Sequence, residues 1–119
     1  MKSKAKISSK EFAIAAAKVA VERHCENVKV LNLSGLSPVT DFFVVATGTS
    51  DRQMRTIADE VGDVAKDNKY FRLGVAGYEQ AKWILLDYVD VMVHVMSDEA
   101  RDYYHLEMLW GDAEEVSID

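Results

Sequence analysis

The sequence predicts an α/β fold in which helices flank a mixed β-sheet within a single domain. Residues 42–47 are all apolar or β-branched, as in a strand buried on both faces. Segments with helical spacing of apolar residues lie between further short β-rich segments. A length of 119 residues, with 49% hydrophobic and 29% charged residues, suits one globular core. We predict one domain over 1–119, with frayed tails at 1–8 and 113–119.

The first half of the chain predicts a helix and two strands. Ser8 and Glu11 have the spacing of a capping box, so the first helix is predicted over 9–24. A β-rich segment at 27–33 follows and ends in a loop that contains the only proline. The next strand, 41–47, starts after too short a connection for a parallel crossover. These two strands are therefore predicted to be antiparallel neighbours.

The strand at 41–47 is predicted to turn into a helix at Gly48–Ser50. Ser50 and Gln53 have capping-box spacing, which places the second helix at 51–68. A corner of this kind presents backbone N–H groups that could hold a phosphate. A single glycine falls short of the known phosphate-binding fingerprints. Nucleotide binding or nucleotidyl transfer at Gly48–Ser50 is therefore the alternative function.

The second half predicts three strands and a last helix. Residues 71–75 form a short strand, and the segments 82–87 and 91–96 are spaced as a hairpin. In the latter segment His94 shares a face with two methionines, so we predict a buried or half-buried histidine with a hydrogen-bond partner. Ser97 is a suitable cap for the last helix, and Gly111 is a natural end for it.

The formal net charge of −6 disfavours direct nucleic-acid binding and favours a basic protein partner. No apolar run is long enough to span a membrane, and no signal peptide is recognisable. The single cysteine, Cys25, fits a reducing compartment, so we expect a cytoplasmic protein. The three histidines are scattered without the spacing of metal ligands, so no metal or cofactor is predicted.

An active site built from Gly48–Ser50 with Asp87 and Asp90 would resemble that of a nucleotidyltransferase, with the two carboxylates holding magnesium. These aspartates lie three residues apart across a turn, and two-metal chemistry needs carboxylates that converge. Turn carboxylates that accept backbone hydrogen bonds are the commoner arrangement. We therefore predict that the protein is not an enzyme.

Aromatic and acidic residues are interleaved in the last third of the chain. Aromatic anchors with carboxylates at their rim are typical of a surface that binds a basic protein. About half of these aromatic residues are expected in the core, and Tyr103 and Trp110 are the two assigned to it. The aromatic residues are Trp83, Tyr88, Tyr103, Tyr104 and Trp110, and the acidic ones are Asp87, Asp90, Asp98, Glu99 and Glu107.

Four blocks of sequence closely resemble the ribosomal silencing factor S (Iojap-related) family, over residues 10–113. They are DFFVVATGTSDRQ at 41–53, IADEV at 57–61, WILLDYVDVMVH at 83–94 and RDYYHLEMLW at 101–110. The resemblance implies a nucleotidyltransferase-like fold that has lost its catalytic carboxylates. It also implies a translation repressor that binds ribosomal protein L-fourteen on the large ribosomal subunit and blocks joining of the small subunit. A homodimer is implied for the free protein.

The resemblance places the partner surface on the hairpin at 83–90. The implied contact residues are Trp83, Leu85, Asp87, Tyr88 and Asp90, with Gly77 and Tyr78 beside them. Three positions depart from the usual pattern of the family. Phe42 replaces a tyrosine, Ala76 replaces a glutamate that could form a charge pair, and Val89 replaces a glycine. The valine makes a glycine-type turn unexpected at that position.

Overall fold

The computed structural model describes residues 7–104 and 111–118. This part of the chain forms three helices and six strands. In chain order they are α1 (Ser9–Glu22), β1 (Glu26–Asn32), β2 (Phe42–Gly48), α2 (Asp51–Asp67), β3 (Gly74–Ala76), β4 (Trp83–Asp87), β5 (Val91–Ser97), α3 (Asp98–Tyr104) and β6 (Glu114–Val116). No helix in the described ranges is long and apolar enough to cross a membrane.

The six strands form one mixed sheet in the order β3-β4-β5-β2-β1-β6. Neighbouring strands are antiparallel except for β2 and β5, which are parallel. Strand β2 lies inside the sheet and is buried at all seven positions, because both of its faces are covered. The predicted α/β class, the antiparallel pair β1 and β2 and the hairpin β4–β5 are confirmed.

The two faces of the sheet are covered differently. Helices α1 and α2 pack on one face and form the larger core with Val91, Val93 and Val95 of β5. The opposite face carries α3, and we call it the α3 face. Its buried residues are Leu31, Leu33, Phe43, Val45, Met96 and Ala100, with Trp83, Met92 and Ala113 partly buried beside them.

Side-chain caps fix the starts of the helices. Ser8 and Glu11 form the complete predicted capping box at α1. At α2, Ser50 Oγ accepts from the Gln53 amide at 3.1 Å, as predicted. The Gln53 side chain, however, accepts from the backbone N–H of Thr49 at 2.6 Å instead of from that of the cap residue. The same side chain donates to Arg23 O at 2.7 Å, so it also ties α2 to the end of α1.

The predicted frayed tail at 113–119 is wrong for residues 114–116. These residues form β6, which pairs with β1 along the edge that faces away from β2. Val116 is 8% exposed and joins the larger core, so burial of an apolar side chain adds to the ladder hydrogen bonds. Strand β3 begins at Gly74, later than the predicted residue 71. The predictions for residues 1–6, for Trp110 and for the end of the last helix before Gly111 fall outside the residues that the structure describes.

The turn between β4 and β5 adopts a glycine-type conformation at Val89, contrary to the sequence prediction. Val89 has φ +72°, and the Asp90 amide donates to Tyr88 O at 2.9 Å around it. This is a γ-turn with a β-branched residue in the left-handed region, which is a strained arrangement. The Asp87 carboxylate accepts from the Val89 amide at 2.8 Å and helps to hold the turn.

Replacing Val89 by glycine is expected to raise the free energy of unfolding by about 1 kcal/mol, because the left-handed conformation costs glycine nothing. Urea denaturation followed by circular dichroism measures the change. Val39→Gly is the control, since Val39 is also exposed but lies outside the positive-φ residues. The Val39→Gly control should lose stability, because glycine raises the conformational entropy of the unfolded chain and relieves no strain in the folded one. A loss of stability in both variants would contradict strain at Val89.

Candidate functional site

The corner Gly48–Ser50 is occupied by the protein's own side chains. The Thr49 amide, a donor that a bound phosphate would need, is used by Gln53 Oε1. A Cβ atom placed on Gly48 would lie 2.2 Å from Met54 Cγ, so the methionine side chain fills the space beside the turn. The Met54 and Gln53 side chains therefore already take up the space and the N–H donor that a phosphate-binding turn would offer to its ligand.

The crevice in front of this corner is acidic. It has a volume of about 360 Å³ and is lined by Glu26, Asp51, Asp98 and Glu99 together with the turn. Four carboxylates around one crevice repel a phosphate group. A bound metal ion could offset this negative charge. The residues that the structure describes, however, contain no group of three or more His, Cys, Asp or Glu side chains that could hold one. The alternative function, nucleotide binding, is thus disfavoured by the charge as well as by the packing of the corner.

Asp87 and Asp90 lie at the opposite end of the sheet from the corner. Gly48 pairs with Ser97 on β5, whereas Asp87 pairs with Met92, five residues away on the same strand. Five residues of strand correspond to about 16 Å. Both carboxylates accept hydrogen bonds within the fold, Asp87 from the Val89 amide and Asp90 from the Ser9 hydroxyl. They therefore do not converge with the corner on a metal site.

Cys25 is also unsuited to nucleophilic chemistry. Burial, together with the nearby Glu26, raises the pKa of its thiol to about 11. The reactive thiolate is consequently scarce at neutral pH.

The hairpin residues expected at the partner surface divide between the two sides of the sheet. Trp83, Leu85 and Asp87 alternate along β4, so they lie together on the α3 face, and all three are partly exposed. Their neighbours on β5, which pair with them in register, are Met96, His94 and Met92. The structure thus brings three of the seven expected residues together on one surface.

Tyr88 and Asp90 lie on the other side, close to α1. Tyr88 is only 3% exposed, and its ring packs edge-on against Phe12 at a centroid distance of 5.1 Å. Burial raises the pKa of its hydroxyl, and the neighbouring Arg72 guanidinium opposes this effect. Asp90 O accepts from the amides of Asp41 and Phe42. The Tyr88 ring therefore belongs to the core, whereas the family resemblance placed Tyr88 among the partner contacts.

Gly77 and Tyr78 belong to the loop between β3 and β4, which α2 holds in place. Arg55 Nε donates to Tyr78 O at 3.0 Å, and the Tyr78 hydroxyl donates to the Asp59 carboxylate at 3.0 Å. This hydrogen bond to Asp59 raises the pKa of Tyr78. Arg55 is therefore a structural residue that holds the loop before β4.

His94 positions the Trp83 indole on the α3 face. Trp83 Nε1 donates to His94 Nδ1 at 3.0 Å, and the His94 ring also contacts Phe43 at a centroid distance of 4.5 Å. His94 is 4% exposed, and burial lowers its pKa to about 4. The imidazole is therefore neutral at pH 7, so Nδ1 can accept the hydrogen bond. The predicted buried histidine with a partner is confirmed.

Two tyrosines of α3 extend the aromatic surface beyond Trp83. Tyr104 contacts the indole at a centroid distance of 4.7 Å, and Tyr103 packs edge-on against Tyr104 at 4.9 Å. Tyr103 is 78% exposed and Tyr104 is 50% exposed, so the assignment of Tyr103 to the core is wrong. Adjacent residues on a helix point about 100° apart, so Tyr103 and Tyr104 cannot both face the same core. The sequence alone could therefore have predicted that at least one of the two rings is exposed.

Comparisons with known proteins agree with one another. The family model described as "Ribosomal silencing factor during starvation" matches residues 6–119. The ribosomal silencing factor RsfS of Halalkalibacterium halodurans is 39% identical over 113 residues, which are 95% of this chain and 97% of the relative. RsfS of Bacillus subtilis is also 39% identical, over 82% of this chain and 83% of its own.

A solved structure from Chromobacterium violaceum superposes with a TM-score of 0.84 at 32% identity, covering 93% of this chain and 92% of that one. The fold and the sequence therefore point to the same relatives. The family match spans almost the whole chain, including the strands and the helix that form the α3 face. The chain belongs to the ribosomal silencing factor (RsfS) family.

Proposed function

We propose that this protein binds the large ribosomal subunit through ribosomal protein L-fourteen and sterically blocks association of the small subunit, which represses translation when nutrients are limiting. The family membership supports a role on the ribosome. The observation that carries the proposal in this chain is the α3 face itself. Trp83, Leu85 and Met92 are only partly buried there, and the Trp83 indole contacts the exposed Tyr104.

This surface has the composition of a protein-binding site. Aromatic side chains supply area that a partner can desolvate, and rim carboxylates pair with basic residues. Asp87 lies at one end of the face, and the first turn of α3 supplies Asp98 and Glu99 at the other. A ribosomal protein that lies on RNA offers basic side chains, so the acidic chain and its partner are complementary in charge.

The mechanism is steric and requires no chemical step, cofactor or metal. A small protein on the intersubunit side needs only to occupy area that the small subunit would otherwise contact. Binding to the free large subunit then lowers the concentration of subunits able to join, by mass action. We place this activity in the cytoplasm, where ribosomal subunits associate.

A subunit-joining assay tests the proposal directly. Purified large and small subunits are mixed with increasing amounts of the protein, and light scattering follows the formation of whole ribosomes. We expect the scattering amplitude to fall as the protein saturates the large subunit. Unchanged joining in the presence of excess folded protein would refute the proposed function.

Replacing Trp83 by alanine is expected to cost about 1–4 kcal/mol of affinity for the large subunit, because the partly exposed indole is held on the α3 face by its hydrogen bond to His94. Cosedimentation with purified large subunits measures the loss. Phe71→Ala is the matched control, since Phe71 is a 74% exposed aromatic residue just before β3, at the edge of the sheet. An equal loss in the two variants would place the interface elsewhere.

We also propose, on the basis of the family resemblance, that the free protein is a homodimer. A self-association surface needs exposed apolar area, which the α3 face and the exposed residues Phe71, Leu73 and Val75 provide. Sedimentation velocity of the purified protein distinguishes a dimer from a monomer. A monomer at micromolar concentration would exclude this part of the proposal.

A further inference from the structure

We infer that the groove between the start of β4 and α3 binds an arginine side chain of the partner. This inference rests on the proposed function, because it names the chemical group that the α3 face recognises. The groove has a volume of about 370 Å³, and its lining includes Trp83, Tyr103 and Tyr104 together with Lys82 and Glu99. We call it the aromatic groove.

The rings of the aromatic groove are arranged to accept a flat cation. Tyr103 and Tyr104 are perpendicular, with an interplanar angle of 86°, and Tyr104 is tilted by 49° to the Trp83 indole. Rings at such angles expose both a face and an edge to an incoming group. A guanidinium stacks on a tyrosine or tryptophan face and keeps its N–H donors free for a nearby acceptor.

The charges of α3 favour a cation over an anion. Asp98, Glu99 and Asp102 are exposed, whereas the cation of this helix, Arg101, is 6% exposed and turned inward. The Arg101 guanidinium donates to Asn27 O at 2.8 Å and to Thr47 Oγ1 at 2.9 Å. The exposed charges on the described part of α3 are therefore all negative.

Glu99 is the carboxylate placed to pair with the bound guanidinium, because it lines the aromatic groove itself. An arginine in this position would stack on a ring and donate to a carboxylate at the same time, which a lysine cannot do with comparable geometry. Lys82 also lines the aromatic groove, but it is exposed to solvent, where salt screens its repulsion of a bound cation.

The test uses the full chain and two probes. With purified large subunits as the first probe, we expect Glu99→Lys and Tyr104→Ala each to weaken binding at least tenfold. Tyr104→Phe keeps the ring and should stay within threefold of the wild type. Asp63→Lys makes the same charge change at an exposed position on α2, so it controls for long-range electrostatics. Circular dichroism confirms that each variant is folded.

The second probe is the blocked peptide acetyl-Gly-Arg-Gly-amide, titrated into the free protein and followed by NMR of the tyrosine ring protons. We expect it to shift the Tyr103 and Tyr104 signals more than peptides with norleucine or glutamate in place of arginine. Equal or larger shifts with norleucine would show an apolar occupant and overturn the inference. Equal subunit binding by Glu99→Lys and Asp63→Lys would overturn it too.

The two probes separate this inference from the proposed function. If the wild type binds large subunits but the groove variants bind equally well, the function stands and the arginine site is wrong. If the wild type does not bind large subunits, the proposed function fails, and the peptide titration decides by itself whether the aromatic groove selects arginine.

Discussion

Replacing Gly77 by alanine is expected to lower the free energy of unfolding by about 3 kcal/mol and to disturb the α3 face. Gly77 has φ +79°, a conformation that costs a residue with a side chain about 1 kcal/mol or more. An added Cβ would also lie 2.1 Å from Trp83 O. Since the clashing atom belongs to the backbone of β4, no rotamer change can relieve the overlap.

The effect on binding should follow from the same contact. The loop closes with a hydrogen bond from the Ala81 amide to Gly77 O at 2.9 Å, just before β4 begins. A displaced loop therefore moves Trp83 and weakens binding to the large subunit. Urea denaturation measures the stability, and cosedimentation measures the binding.

Gly74→Ala is the matched control, because it adds the same methyl group to an exposed position in β3. Nothing lies within 4 Å of the Cβ that would be added there, and φ is not positive. Its effect is expected to stay within about 0.5 kcal/mol. Similar losses for Gly77→Ala and Gly74→Ala would mean that the close approach to Trp83 O is not what requires a glycine at position 77.

Acidification from pH 6.5 to pH 4 is expected to destabilise the protein by up to about 3 kcal/mol through His94 alone. Burial lowers the pKa of this histidine from 6.5 to about 4. Between these values the unfolded chain binds a proton that the folded protein does not, so stability falls as the pH falls. The loss is complete below pH 4 and absent well above pH 6.5. Each unit by which the folded and unfolded pKa values differ corresponds to about 1.4 kcal/mol of stability. The lowering of the His94 pKa from 6.5 to about 4 therefore gives the total loss of about 3 kcal/mol.

Protonation of His94 would also remove the acceptor that holds the Trp83 indole. We therefore expect the tryptophan fluorescence of the folded protein to change around pH 4, where the folded protein itself binds the proton at His94. Urea denaturation at several pH values between 7.5 and 4 measures the stability, with fluorescence as the second signal.

Two variants identify the titrating group. His94→Gln keeps a hydrogen-bond acceptor but cannot titrate, so most of the loss between pH 6.5 and pH 4 should disappear. His24→Gln removes an exposed histidine and should leave the loss unchanged. If the His94→Gln variant retained the full pH dependence, carboxylates elsewhere in the protein would account for it.

The burial of Tyr88 and the exposure of Tyr103 have one physical cause. Tyr88 and Tyr103 are both tyrosines next to acidic residues, and their local sequences resemble each other. Tyr88 packs against Phe12 of α1, whereas Tyr103 on α3 is exposed to solvent. Burial of a ring is decided by the elements that pack against it, which are far away in the sequence.

The corner Gly48–Ser50 shows a similar limit. The capping pattern correctly predicts the start of α2, because a cap depends on residues within one helical turn. The occupation of the turn by Met54 and Gln53 and the acidic lining of the crevice depend on how three separate segments meet. The sequence therefore leaves a phosphate site open as an alternative, and the tertiary structure disfavours it.

Local periodicity, capping and contiguous motifs were enough to predict the α/β class, the buried strand β2, the antiparallel and hairpin pairings, the helix starts and the family. Tertiary structure alone decided that β6 joins the sheet, that Trp83 rests on His94, and that Trp83, Leu85 and Asp87 share a face with α3. These features arise from contacts between distant segments, whose free energy depends on burial and register that no local pattern specifies.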